Sequence, residues 1–168
     1  MSSSGEAHAA ARLREALFSP RAVALVGASA DASKLTARPQ RFLSGHGYQG
    51  RIIPVNPGRA EIFGEKAYPD LRSAPGPIDH AFIMVPAAAV QQVVAQCCER
   101  NVPVATIFSA GFAELGEEGL ARQREMVRMA RAAGLRLLGP NCMGIMSVQE
   151  GAMLTVNAVL EQERLIPG

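Results

Sequence analysis

The sequence predicts an α/β protein: a doubly wound parallel sheet with helices on both faces. Five short runs of small and branched apolar residues recur along the 168-residue chain, at 21–26, 51–56, 79–85, 102–108 and 135–138. Between them, apolar residues fall at helical spacing, as at Val90, Val93, Val94 and Cys97. Each run also stops at small, turn-prone residues: Gly27-Ala28-Ser29, Asn56-Pro57-Gly58, Val85-Pro86-Ala87, Ser109-Ala110-Gly111 and Gly139-Pro140-Asn141. Strands alternating with helices at this spacing build a parallel sheet. Its right-handed crossovers deliver every strand's C-terminal end to one side, where ligands bind at the switch in strand order.

In chain order, residues 1–10 are small and polar and are expected to form a loose tail. Leu13, Leu17 and Phe18 predict a short helix, stopped by Ser19-Pro20. The run Arg21–Val26 is the first strand, apolar enough to be buried on both faces. Pro39 fits the first turn of the next helix, Phe42 and Leu43 lie beyond it, and Gly45-His46-Gly47 ends it. The second strand, Arg51–Asn56, carries an internal Pro54, which suits a strand end or an unpaired N–H. Residues 62–71 hold Gly64, Pro69 and Asp70 and read as a short irregular excursion. The third strand, Asp79–Val85, stops at Pro86, and the Val90–Cys97 helix follows. The fourth strand, Val102–Phe108, precedes a helix with Met126, Met129, Ala130 and Ala133 on one face and Gly134 as its stop. A short fifth strand, Leu135–Leu138, leads to Met143–Leu160, where weak alternation predicts a hairpin or an edge strand. The last residues, Leu165-Ile166-Pro167-Gly168, read as the approach to another strand.

Composition narrows the function classes. The length suggests one domain over residues 11–168. Hydrophobic residues make up 48% and charged residues 19%, which argues against disorder. A net charge of +2 gives no reason to expect a nucleic-acid or membrane partner. No apolar stretch approaches the roughly 20 residues of a membrane span, and the N-terminus lacks the layout of a signal peptide. Three cysteines make no disulfide framework, so a cytoplasmic location is expected. Cys97 and Cys98 are adjacent on a helix and read as packing residues, not metal ligands; no metal site is expected.

The turn after the first strand is the first candidate site. A glycine there lets the backbone pass close to a ligand, and helix N-termini attract phosphate. The full dinucleotide fingerprint is G-x-G-x-x-G with an acid at the end of the second strand. Here Ser29 and Ala32 stand at the second and third glycine positions, and Asn56 stands where the acid would be. This favours a phosphate-bearing ligand other than NAD.

Taken together, Val26-Gly27-Ala28-Ser29, Pro54-Val55-Asn56-Pro57, Val85-Pro86-Ala87, Ser109-Ala110-Gly111-Phe112-Ala113-Glu114 and Gly139-Pro140-Asn141-Cys142-Met143-Gly144 occur in this order. From about Arg12 onward the chain resembles the N-terminal, Rossmann-like CoA-binding domain of the NDP-forming acyl-CoA synthetases. These are relatives of the succinyl-CoA synthetase α subunit and of the ADP-forming acetate–CoA ligases. The resemblance implies that coenzyme A lies across the strand ends. Its phosphates would meet Gly27, Ala28, Ser29 and Ala30, with Arg59 as the basic residue after the second strand. Phe108, Ser109, Ala110 and Gly111 would form a second contact segment, and Asn56, Pro57, Val85, Pro86, Pro140 and Asn141 would complete the walls. Many relatives carry glycine where this chain has Thr36.

The resemblance also implies further domains, or a β-like subunit of the same enzyme. The family relays phosphate through a histidine, with ATP or GTP and Mg bound on those other parts. None of His8, His46 and His80 matches that histidine. The segment alone is therefore expected to bind CoA and to catalyse nothing. A stand-alone CoA- or nucleotide-responsive binding protein is the alternative. An NAD(P)-binding oxidoreductase fragment is disfavoured by Asn56. A repressor would need a DNA-binding helix pair, for which residues 1–20 are too short.

Overall fold

The computed structural model describes residues 3–161. Helix α1 (Ser3–Phe18) leads into strand β1 (Ala22–Val26). A single 3-10 turn, Leu35–Ala37, opens α2 (Arg38–Gly45), followed by β2 (Arg51–Val55). A two-residue hairpin, β3 (Glu61–Ile62) and β4 (Glu65–Lys66), precedes β5 (His80–Ile83) and α3 (Ala87–Glu99). Then come β6 (Val104–Ile107), α4 (Glu117–Ala132) and β7 (Arg136–Leu138). The hairpin β8 (Gly144–Ser147) and β9 (Ala152–Thr155) and a 3-10 turn at Ala158–Glu161 close the described chain.

The main sheet has the order β2-β1-β5-β6-β7, and all its pairings are parallel. The chain steps from β1 outward to β2, then crosses back over β1 to β5 and continues the other way. The strand order therefore switches between β1 and β5. Alternation of side chains divides the core by face. On one face Ala24, Val26, Ala81, Ile83, Ala105 and Ile107 pack against Val90, Val94 and Cys97 of α3 and Met126 and Ala130 of α4. On the other, Val23, Leu25, Phe82 and Met84 pack against Leu43 of α2 and Leu154 of β9. Each fully buried side chain of this size contributes about 1.5–3 kcal/mol of transfer free energy.

Pro54 lies inside β2, where only an edge strand tolerates it. Its carbonyl accepts the Tyr68 N–H at 3.0 Å on the side away from β1. A residue's N–H and C=O point to the same edge, so the missing N–H costs the sheet no ladder bond. Acidic Glu117 and Glu118 in the first turn of α4 and Arg131 in its last turn suit the helix dipole.

Two expectations change, and one open alternative is resolved. The loose tail over residues 1–10 is helical from Ser3 onward. Ala7, Ala9, Ala10 and Ala11 favour helix intrinsically, but they stay exposed and so write no apolar face into the sequence. The irregular excursion after β2 contains the β3–β4 hairpin, pinned by the fully buried Ile62. Of the two forms expected for Met143–Leu160, the hairpin is the one found, in a sheet of its own. The strand expected near Leu165-Ile166 lies outside the described residues. No described helix is long and apolar enough to cross a membrane.

Candidate functional site

The five strand-end turns lie together along the C-terminal edge of the sheet, and the switch in strand order falls between the β1 turn and the β5 turn. At that point Gly27 takes φ +88 and lies against the start of the β5 turn. A Cβ on it would stand 2.8 Å from the Met84 carbonyl oxygen and 3.1 Å from Val85 Cγ1. Only glycine fits, because the β1 turn packs directly against the β5 turn here.

The β1 turn is braced on both sides. The Gly27 N–H donates to the Val55 carbonyl at 2.9 Å, and the Ser29 N–H to the Thr36 carbonyl at 3.4 Å. Thr36 thus serves through its backbone. Ser29 Oγ accepts the Asp31 N–H at 3.1 Å, and Asp31 Oδ1 accepts both the N–H and the hydroxyl of Ser33, at 3.0 and 2.6 Å. The Ser33 bonds, the hydroxyl's first, hold the Asp31 carboxyl below its ordinary value. Ala28 is buried, Ser29 half-buried and Ala30 exposed.

Asn56 is not free to reach into the cleft. Its amide donates to the Ala28 carbonyl at 2.9 Å and accepts the Gly58 N–H at 2.8 Å. Pro57 and Arg59 are exposed beyond it. Across the switch point, the Ser109 hydroxyl donates to the Val85 carbonyl. The Ser109 carbonyl in turn accepts the Asn141 N–H at 3.0 Å. Val85, Phe108, Gly111 and Pro140 are half-buried, and Pro86, Ala110 and Asn141 are exposed. Gly111 has φ +106, and a Cβ there would stand 2.9 Å from that of Ala87. Glu114 accepts the Gly111 N–H at 2.5 Å, and backbone N–H groups, that of Gly111 first, hold its carboxyl below the ordinary range.

The structure gathers the expected residues along one rim except Ala28, which is fully buried in the core with Leu25 and Leu43 rather than placed to meet a ligand. It assigns two of them, Asn56 and Ser109, hydrogen bonds that tie the turns together. For the first a partial signal is present in the sequence, since Asn-Pro-Gly suits an Asx turn. Nothing in the sequence pointed to Ser109 reaching the neighbouring strand's turn.

Two concavities lie at the other end of the sheet, where the strands begin. One, of about 510 Å³, lies among Arg21, His46, Tyr48, Arg51 and the β8–β9 turn. The other, of about 340 Å³, separates α1 from Arg21, Asp79 and Pro103. The strand-end rim is marked out by the switch in strand order and by the close approach at Gly27. His80 is fully buried beneath α1. Its ring lies 3.0 Å from the Ala16 carbonyl through Nδ1 and 2.8 Å from Thr106 Oγ1 through Nε2. A carbonyl only accepts, so Nδ1 carries the proton and Nε2 accepts from Thr106.

Known proteins resemble this chain in sequence and fold. The chain is 42% identical over 158 residues to the α subunit of acetate–CoA ligase [ADP-forming] I from Pyrococcus furiosus, covering 92% of this chain and 33% of that protein. It is 37% identical over 139 residues to a trans-feruloyl-CoA synthase from an unknown prokaryotic organism, covering 83% of this chain and 20% of that one. The dinucleotide-forming acetyl-coenzyme A synthetase 1 of Ca. Korarchaeum cryptofilum, solved with phosphate and ADP, superposes with a TM-score of 0.84 at 34% identity, over 92% of this chain and 32% of that chain. The chain spans about a third of the length of the first of these relatives. The family described as "CoA binding domain" matches residues 21–147, and the chain belongs to that family.

Proposed function

We propose that this chain binds coenzyme A across the C-terminal edge of its sheet, as the CoA-holding part of an NDP-forming acyl-CoA synthetase. Such an enzyme joins a carboxylic acid to CoA at the expense of ATP or GTP. The observation that carries the reading is the switch in strand order between β1 and β5, where the Gly27 turn sits at the C-terminal edge of the sheet. The fit to CoA is physical. Small residues at Ala30, Ala110 and Gly111 let a flat adenine and a thin pantetheine arm lie close. The exposed Arg59 guanidinium beyond β2 suits a phosphate. CoA supplies a thiol; this chain's part is to hold it, with Mg and nucleotide chemistry supplied by further domains or a β-like subunit, in the cytoplasm.

Thermal unfolding with CoA, dephospho-CoA, NAD and NADP tests the proposal. A ligand at 100 times its Kd adds about 2.7 kcal/mol of stability. CoA is expected to raise the midpoint and NAD to leave it unchanged; a shift with NAD alone would overturn the reading. Arg59→Ala is expected to weaken CoA more than dephospho-CoA, and equal losses would move Arg59 away from the 3′-phosphate.

A stand-alone CoA-responsive protein is the second reading. A hypothetical protein from Pyrococcus horikoshii OT3 superposes with a TM-score of 0.63 at 25% identity, and the match covers 89% of that chain. The two readings separate on whether acyl-CoA formation from acid, CoA and ATP appears when the neighbouring ligase parts are supplied.

A further inference from the structure

The rim is laced in two halves. On one side Asn56 ties the β2 turn to the β1 turn, through Ala28. The orientation of its amide is fixed by chemistry: the Ala28 carbonyl can only accept, and the Gly58 N–H can only donate. On the other side Ser109 ties the β5 turn to the β6 turn through the Val85 carbonyl, and its own carbonyl takes the Asn141 N–H of the β7 turn. Among the described hydrogen bonds, no side chain joins the β1 turn to the β5 turn. The two halves meet there through the backbone: the Met84 N–H donates to the Val26 carbonyl at 2.8 Å, and Gly27 packs against the Met84 carbonyl.

We propose that Asn56 and Ser109 are positioning residues, one for each half of the rim. Asn56 sets the turn that receives the nucleotide and diphosphate end of CoA, and Ser109 sets the segment that lies against the pantetheine arm. This rests on the reading that the chain binds CoA. Each residue donates to a backbone carbonyl beside the crevice. Released, the Ala28 carbonyl can turn toward the phosphates, where its negative end repels their oxygens. A released Val85 carbonyl becomes an unpaired acceptor beside an apolar arm, which costs desolvation free energy on binding.

The test titrates CoA and adenosine 3′,5′-bisphosphate, the nucleotide half alone, into the wild-type chain and into Asn56→Asp, Asn56→Ser and Ser109→Ala. Asp and Ser both keep an oxygen for the Gly58 N–H. Asp has no proton to give Ala28, and Ser is too short to reach it. Ser also controls for the charge that Asp adds, and unfolding without ligand shows that each variant is folded. Both Asn56 variants are expected to weaken both ligands about tenfold. Ser109→Ala is expected to weaken CoA by a similar factor and the bisphosphate by less than about twofold. A general loosening would instead lower both ligands in every variant, which overturns the assignment. Wild-type affinity in both Asn56 variants also overturns it, as does a nucleotide half that does not bind. A wild-type chain that fails to bind CoA removes the preceding reading and this one with it.

Discussion

At the residue scale, the site is decided by what Gly27 lacks. Its φ of +88 is open only to glycine at little cost, and the Met84 carbonyl occupies the space a methyl would need. Gly27→Ala is expected to cost about 1–3 kcal/mol of stability through backbone strain and to weaken CoA binding as well. A urea titration of the variant checks the first part, and an unchanged midpoint would refute it. The sequence marked Gly27 correctly, because a glycine after a buried strand is a local signal. It could not show Asn56 spent on two backbone groups, because Ala28 lies twenty-eight positions earlier in the chain. The same holds for Ser109 and Val85, which meet only because β5 and β6 are neighbours.

At the element scale, α1 is held mainly by its C-terminal end. Ala16 is its one described residue classed as buried hydrophobic, and the Ala16 carbonyl takes the proton of the buried His80. Burial pushes the His80 imidazole down to about 4 from 6.5, and the bond to Ala16 offsets part of that fall. The folded value lies below the unfolded one, so the unfolded chain binds the proton first. Stability is full above about pH 6.5 and falls as the pH drops toward 4, by about 3 kcal/mol in all. Asp70, held low by the backbone N–H and then the hydroxyl of Ser73, loses its contribution only as the pH falls through values below its ordinary 3.8. The two effects therefore occupy different windows. Urea midpoints at pH 7 and pH 4.5 are expected to differ clearly in the wild type and much less in His80→Gln; equal slopes in the two would refute the assignment. The strands, α3 and α4 were legible because their buried faces impose a period on the sequence. Most of α1 was not, because a helix that packs through so few residues imposes none.

For the whole molecule, both faces of the central strands are covered, by α3 and α4 on one side and by α2 and the β8–β9 hairpin on the other. Phe82 and Ile83 point to opposite faces and are both fully buried. Phe82→Ala is expected to cost about 3–5 kcal/mol and Ile83→Ala about 2–5 kcal/mol. Denaturant unfolding checks both, and a cheap loss at either position would mean that one layer is loosely packed. The sequence by itself determined the number of sheet strands, their parallel direction and the edge on which their turns gather. Hydrophobic runs, helical spacing and the handedness of crossovers are properties of local chain chemistry. Strand order, the place of the switch between β1 and β5, and the lacing of the rim by Asn56 and Ser109 were decided only by the tertiary structure. Those features join residues far apart in the chain, and no local pattern records which distant carbonyl a side chain will find.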